Sequence, residues 1–142
     1  MSPALNQRLE HLDTAYMAPA GRADLATITA QARLVLTDLL TGAQDLAGLS
    51  EEVEAGAACA ASALPVDAWL PYQRSVEAAR AECAQALSVC EACPVRLRCL
   101  ARALVTGLGR QDITGGLVPR EVRRLRRRTT PLLNEITKEA QV

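Results

Sequence analysis

Five cysteines, Cys59, Cys83, Cys90, Cys93 and Cys99, are the residues of this 142-residue chain whose type and spacing could do chemistry. Three of them share one short run, Cys90-Glu91-Ala92-Cys93-Pro94-Val95-Arg96-Leu97-Arg98-Cys99. Two thiolates separated by two residues can bend round one metal ion or one corner of a cluster. Pro94 suits the first turn of a helix, where its missing N–H would have had no partner within the helix. Cys93 then stands at a helix start, where the dipole and free N–H groups favour a thiolate or a cluster sulfide. Cys99 lies further along that helix. Three thiolates therefore converge locally, whereas a cubane iron–sulfur cluster takes four.

The fourth ligand is Cys59 or Cys83. Cys83 precedes Cys90 by seven residues, which on a continuous helix is two turns, or roughly 10 Å, along the same face. Joint ligation across that distance is awkward without unwinding. Cys59 lies in an alanine-rich approach that can fold back, which favours it and leaves Cys83 as a buried small hydrophobe. Four thiolates suit tetrahedral zinc as well as a cluster. A Cys90–Cys93 dithiol that exchanges with substrate disulfides is a further alternative, although no βαβ pattern of the thioredoxin kind surrounds it. The single histidine, His11, reads as an arm residue, and no catalytic triad, phosphate loop or carboxylate pair stands out.

The elements that must position these cysteines read as helices. Leu25, Ile28, Ala32, Val35, Leu36 and Leu39 form an apolar stripe over 24–40, with Gly42 as the stop. A second helix is expected over about 44–61, carrying an acidic, solvated patch at Glu51, Glu52 and Glu54. Pro65 and Pro71 bracket an irregular stretch that contains Trp69, most simply a core residue. Tyr72 to Val89 is again helical in pattern. Pro94 opens a helix whose apolar face is Leu97, Leu100, Ala101, Leu104 and Val105, ended by Gly107 and Gly109. Gly115-Gly116 makes a turn, and Pro119 begins a short, very basic last helix. No segment alternates with period two. The expected fold is all-α, a small helical domain with a helical segment before it and a basic end after it.

Composition narrows the function. There is no Phe, and the aromatic residues are Tyr16, Trp69 and Tyr72, so a core built mainly from Ala, Leu and Val gains from a bound metal centre or a partner. Net charge is zero, but residues 1–95 carry −7, residues 96–128 carry +8 and the remainder −1. That asymmetry describes an acidic body with a basic end. Arg123, Arg124, Arg126, Arg127 and Arg128 are candidate DNA-phosphate contacts, without a base-reading pattern. The longest uncharged run, 55–66, is far short of the ~20 apolar residues a membrane span needs. The N-terminus lacks a basic start followed by an apolar stretch. The expectation is a cytoplasmic protein with no membrane contact, and in a reducing compartment clustered cysteines indicate metal or redox chemistry.

Cys59, Asp67-Ala68-Trp69-Leu70-Pro71, the Cys90-to-Cys99 block followed by Leu100, Gly115-Gly116-Leu117, Pro119-Arg120-Glu121 and the arginine-rich end together resemble the WhiB-like proteins of actinobacteria and their phages. The resemblance covers about residues 59–128. It implies a [4Fe–4S] cluster on Cys59, Cys90, Cys93 and Cys99, a role in transcription, possible redox or nitric oxide responsiveness, and binding to the C-terminal domain of the principal sigma factor. Partner contacts would fall at Trp69, Thr114, Gly115 and Gly116. Three features depart from the family pattern. The gap between the first two ligands is thirty residues, Thr114 stands where the family's turn often has Trp, and the long segment before Cys59 has no counterpart in the family's short members. The division expected is an arm over 1–22, an N-terminal helical extension over 23–58, a cluster-binding core over 59–118, and a basic C-terminal helix and tail over 119–142.

Overall fold

The computed structural model describes residues 24–140, and these form six α-helices. They are α1 (Leu25–Thr41), α2 (Leu46–Gly56), α3 (Val76–Glu82), α4 (Ala84–Glu91), α5 (Arg96–Thr106) and α6 (Pro119–Ala140). Two 3₁₀ turns, Ala58–Ala61 and Val66–Trp69, link α2 to α3. Among the described residues there is no strand beyond an isolated bridge between Thr114 and Leu117, so the all-α expectation holds. The arm expected over 1–22, with His11, lies outside the described residues.

Local chemistry fixes the helix ends. The Asp24 carboxylate accepts the Thr27 N–H at 2.9 Å to start α1, and Gly42 closes it at φ 82°. Asp45 caps α2 through the Gly48 N–H at 2.6 Å. These side chains satisfy amides that the first helical turn leaves without partners. Ser75 does the same for α3 through the Ala78 N–H at 3.2 Å.

Three helices differ from the sequence expectation. α2 stops at Gly56 rather than near Ala61, and the chain turns extended at Ala57. Gly56 is pressed against the segment before α5, where a Cβ would stand 2.7 Å from Val95 Cγ1. The helix expected over 72–89 starts later and is divided. The Tyr72 and Gln73 N–H groups donate to the Glu82 carboxylate at 2.6 and 3.1 Å, and the helix breaks at Cys83, with φ −105° and ψ 27°. The last helix is long, not short, because it continues through Pro131. Proline in a helix interior removes a backbone bond and crowds the preceding turn. Leu132, Leu133 and Ile136 beyond it pack on the main core, and that burial holds the helix together past the proline.

Two apolar clusters form. The larger joins Ile28, Val35 and Leu36 of α1, Leu49 of α2, Leu97, Leu100 and Leu104 of α5, and Leu117, Val122 and Leu125 near and within α6. The smaller joins Ala79, Cys83, Ala86, Leu87 and Cys90 with Ile113 and Val118, and Trp69 packs on it partly buried. The segment 113–118 feeds both clusters and crosses between them. Leu36 is fully buried. Replacing it with Ala should lower stability by about 2–5 kcal/mol, while Thr37→Ala on the exposed face should change it by no more than about 0.5 kcal/mol. Urea unfolding of both variants checks this, and equal midpoints would show that α1 is not part of the core.

Candidate metal centre

One cavity is walled by Cys59, Cys90, Cys93 and Cys99, together with Ala57, Val95, Arg96 and Gly115. Each thiol arrives on a different piece of structure. Cys59 is in the 3₁₀ turn that begins after α2 ends at Gly56. Cys90 is near the end of α4, Cys93 lies in the turn before α5, and Cys99 sits inside α5. Cys93 is tied to the Cys59 segment: the Ala58 N–H donates to its Sγ at 3.4 Å, and its thiol reaches the Gly56 carbonyl at 4.0 Å. The break of α2 at Gly56 is therefore what brings Cys59 to the other three. Cys83 does not line the cavity. It is buried in the smaller apolar cluster.

Cys90 and Cys99 respond to the thiols around them. Burial pushes the Cys90 thiol up from 9.0 to about 11, with further upward pressure from Cys99, Cys59 and Cys93 and an opposing pull from the backbone N–H of Gly116. Burial likewise raises Cys99, while the Arg102 guanidinium and the Gly115 N–H draw it down. Cys83 is raised by burial and then by the neighbouring Glu82 carboxylate, and none of the four thiols contributes to its shift. Among the described residues, no three His, Cys, Asp or Glu side chains converge as a single ion requires. The thiols stand instead around the walls of one cavity.

The turn at Gly115-Gly116 supplies the polar side of the site. Both glycines are buried and have positive φ, 55° and 80°. A Cβ on Gly115 would overlap the Leu100 side chain and stand 3.1 Å from the Arg96 carbonyl, and one on Gly116 would stand 2.9 Å from Arg96 Nε. Consecutive amides in such a turn form a concavity that attracts anions. Two arginines hold the turn by its carbonyls. Buried Arg96 donates from Nε to the Gly115 oxygen at 2.9 Å, and Arg80 donates to the Gly116 oxygen at 3.3 Å. Arg80 also pairs with Glu121 and, at 3.6 Å, with Glu91. With both carbonyls held, the amides of Gly116 and Gly115 serve Cys90 and Cys99. Sequence reasoning missed Arg80 and Arg96 in this role. Only Arg96 left a signal, its place in the cysteine block.

The other singled-out residues lie apart from the cavity. Trp69 is partly buried, and its carbonyl accepts the Ile113 N–H at 2.9 Å. Thr114 is partly exposed and bridges to Leu117. Arg123, Arg124, Arg127 and Arg128 are exposed on α6, a packed helix rather than a loose tail. Arg126 is partly buried and donates to the Ala103 and Leu108 carbonyls at 3.3 and 3.1 Å, closing the end of α5. Burial lowers its pKa, and the charge of Arg110 lowers it further. The patch at Glu51, Glu52 and Glu54 is not simply solvated, since Glu52 pairs with Arg98 at 3.5 Å and Glu54 with Arg102 at 3.9 Å.

The pKa of Cys90 gives a test on metal-free protein. Because the fold raises that pKa, it favours the neutral thiol; this contribution to stability is full below pH 9.0 and lost as pH rises through about 11. Alkylation proceeds through the thiolate. Peptide mapping after a brief alkylator pulse at pH 8 should therefore find exposed Cys59 modified and Cys90 protected, with Cys90 labelling rising only as the pH nears 11. Equal labelling of both at pH 8, in metal-free protein whose helicity matches that of the loaded form, would contradict the burial described.

A comparison with protein families finds one match: the family described as Transcription factor WhiB matches residues 54–125, half of the chain. No curated protein and no solved structure matches. The matched residues begin in α2 and end in α6, so they contain the whole cavity and the glycine turn. No helix among the described residues is long and apolar enough to cross a membrane.

Proposed function

Because the chain belongs to the WhiB family of transcription factors, we propose that it regulates transcription with a [4Fe–4S] cluster held by Cys59, Cys90, Cys93 and Cys99. The observation that carries this reading is the single cavity lined by all four thiols. Its donor set fits the group. A [4Fe–4S] cluster has four irons and would take one thiolate at each, and the Gly116 and Gly115 N–H groups favour the thiolates of Cys90 and Cys99. When bound, such a cluster supplies one-electron redox chemistry, with a potential set by burial and by hydrogen bonds to sulfur. The chain's own residues then do three things. The apolar walls exclude water, the glycine amides offset thiolate charge, and Arg80 and Arg96 keep those amides in place.

The cluster-bearing face docks, in this reading, on the C-terminal domain of the principal sigma factor, and the arginines of α6 contact DNA. Val66 is 73 % exposed in the same 3₁₀ turn as the partly exposed Trp69, which offers an apolar contact for a partner. Gly115 and Gly116 act there from beneath, through the thiols, since both are buried. The protein works in the cytoplasm, where a reducing medium keeps unligated thiols free. A thiol–disulfide exchange role for the Cys90–Cys93 pair, with Cys93 as the attacking thiol, has less behind it, since the matched family is one of transcription factors.

Anaerobic purification should yield brown protein with bound iron and sulfide. Single Cys→Ser changes at positions 59, 90, 93 and 99 should remove the colour and the iron, and Cys83→Ser should keep both. Iron lost in Cys83→Ser and retained in Cys59→Ser would overturn the ligand assignment, and zinc without sulfide in the native protein would replace the cluster with a structural metal. The iron-loaded protein should also co-purify one-to-one with the isolated sigma domain, and the four cysteine variants should not. Absence of a complex at full iron content would remove the sigma factor from the proposal.

A further inference from the structure

Helical phase divides the arginine run of α6. Two adjoining hollows lie on one face of the molecule. The first is lined by Arg74, Arg110, Arg120 and Arg123 with Tyr72, and the second by Arg110, Arg120, Arg123, Arg126 and Arg127. Arg110, Arg120 and Arg123 are common to both, so the hollows form one trough. Three separate chain segments meet there: the loop before α3, the loop after α5 and the first turns of α6. No carboxylate lines either hollow. The acidic residue of the first turn of α6, Glu121, is buried and held by Arg80. Glu52 and Glu54 of α2 are taken up by Arg98 and Arg102. Arg120 donates to the Arg74 carbonyl at 3.4 Å, Arg110 to the Gly107 carbonyl at 3.1 Å, and both remain exposed. Arg124 and Arg128 line neither hollow. The Arg128 backbone faces α1, where its carbonyl accepts from Arg33 at 2.9 Å.

A concave surface lined by arginines and by no carboxylate, with the nearby Glu82 carboxylate taken up by the Tyr72 and Gln73 N–H groups, is an electrostatic footprint for a polyanion. Its elongation across two hollows suits successive phosphates better than a single one. We infer that this trough, built by Arg74, Arg110, Arg120, Arg123 and Arg127, is the seat of a nucleic-acid phosphate backbone. This rests on the DNA-contact reading above and changes its residues. Arg74, Arg110 and Arg120 join the contact from outside the run, and Arg124 and Arg128 leave it. Arg126 acts as a positioning residue that joins α6 to the end of α5.

The test uses full-length, iron-loaded protein and a fluorescent mixed-sequence DNA duplex, with affinity measured across a salt series. Each lost phosphate contact removes about 0.9 from the slope of log affinity against log salt. Arg110→Ala with Arg120→Ala should therefore lower the slope by about 1.8, while Arg110→Lys with Arg120→Lys, which keeps the charge, should restore it. Arg124→Ala with Arg128→Ala should move the slope by less than the first pair does. Helicity and iron content, matched across variants, separate loss of contact from loss of fold. An equal or larger slope change at Arg124 and Arg128, or none at Arg110 and Arg120, would overturn the trough and leave DNA binding by α6 standing. A native protein with no salt-dependent binding to the duplex would overturn both.

Discussion

Four sulfurs share one cavity, where burial favours the neutral thiol at Cys90 and Cys99. The proposed ligation would require thiolates, and much of the surrounding structure bears on that conflict. Burial, with the neighbouring thiols, raises Cys90 to about 11, and burial lifts Cys99 as well. A thiolate in such a place needs compensation, because an isolated buried charge is heavily penalised. Here the compensation is the Gly115-Gly116 amides, aimed at the two raised thiols, with the Arg102 charge beside Cys99. The amides keep their aim because Arg96 and Arg80 grip the turn's carbonyls. Arg80 is in turn fixed between Glu91 and Glu121. The glycines cannot readily be replaced, since a Cβ at either would strike Leu100 or Arg96.

The same site explains how the two apolar clusters become one body. Cys90 belongs to the smaller cluster, and Cys99 adjoins Leu100 of the larger. Cys59 reaches both only because α2 ends at Gly56 against Val95. A ligand shared by all four thiols would therefore clamp α2, α4, α5 and the 113–118 segment together. Charge follows a parallel division. Glu52 and Glu54 of α2 pair with Arg98 and Arg102, while Arg110 beyond α5 and Arg120, Arg123 and Arg127 of α6 are exposed.

Much of this was legible in the sequence. The cysteine spacing pointed to a grouping of Cys90, Cys93 and Cys99, and the chain's freedom around Cys59 singled it out over Cys83 as their companion. These four line the cavity, although α5 starts at Arg96 and Pro94 lies in the turn before it. The apolar stripe of α1 was equally plain. That stripe lies before the family match, which starts at residue 54, yet it packs on α5 and α6 as part of the larger cluster. Pattern alone cannot say whether a stripe serves a separate extension or a common core. Other features had no sequence signal of the right kind. An arginine is read as a surface residue, so the grip of Arg80 on the Gly116 carbonyl was invisible, and Arg96 was marked only by its place in the cysteine block. Adjacent arginines at 123–128 look like one basic tail until helical phase sends them to different sides. Pro131 reads as a stop, and only packing beyond it reveals the long α6.

The central claim is that the ligand of the four thiols holds the fold together. A site that does not pre-exist in the unfolded chain turns metal-binding energy into folding energy, and a core without Phe and with one Trp has little large apolar surface to substitute for it. The direct measurement is anaerobic thermal unfolding, followed by helical circular dichroism, of iron-loaded protein and of the same protein after chelation. The loaded form should melt cooperatively and far above the metal-free form, with part of the helicity already missing from the latter before heating. Equal helicity and equal melting temperatures in the two forms would show that the four thiols carry a passenger, and that the packing of the six helices stands without it.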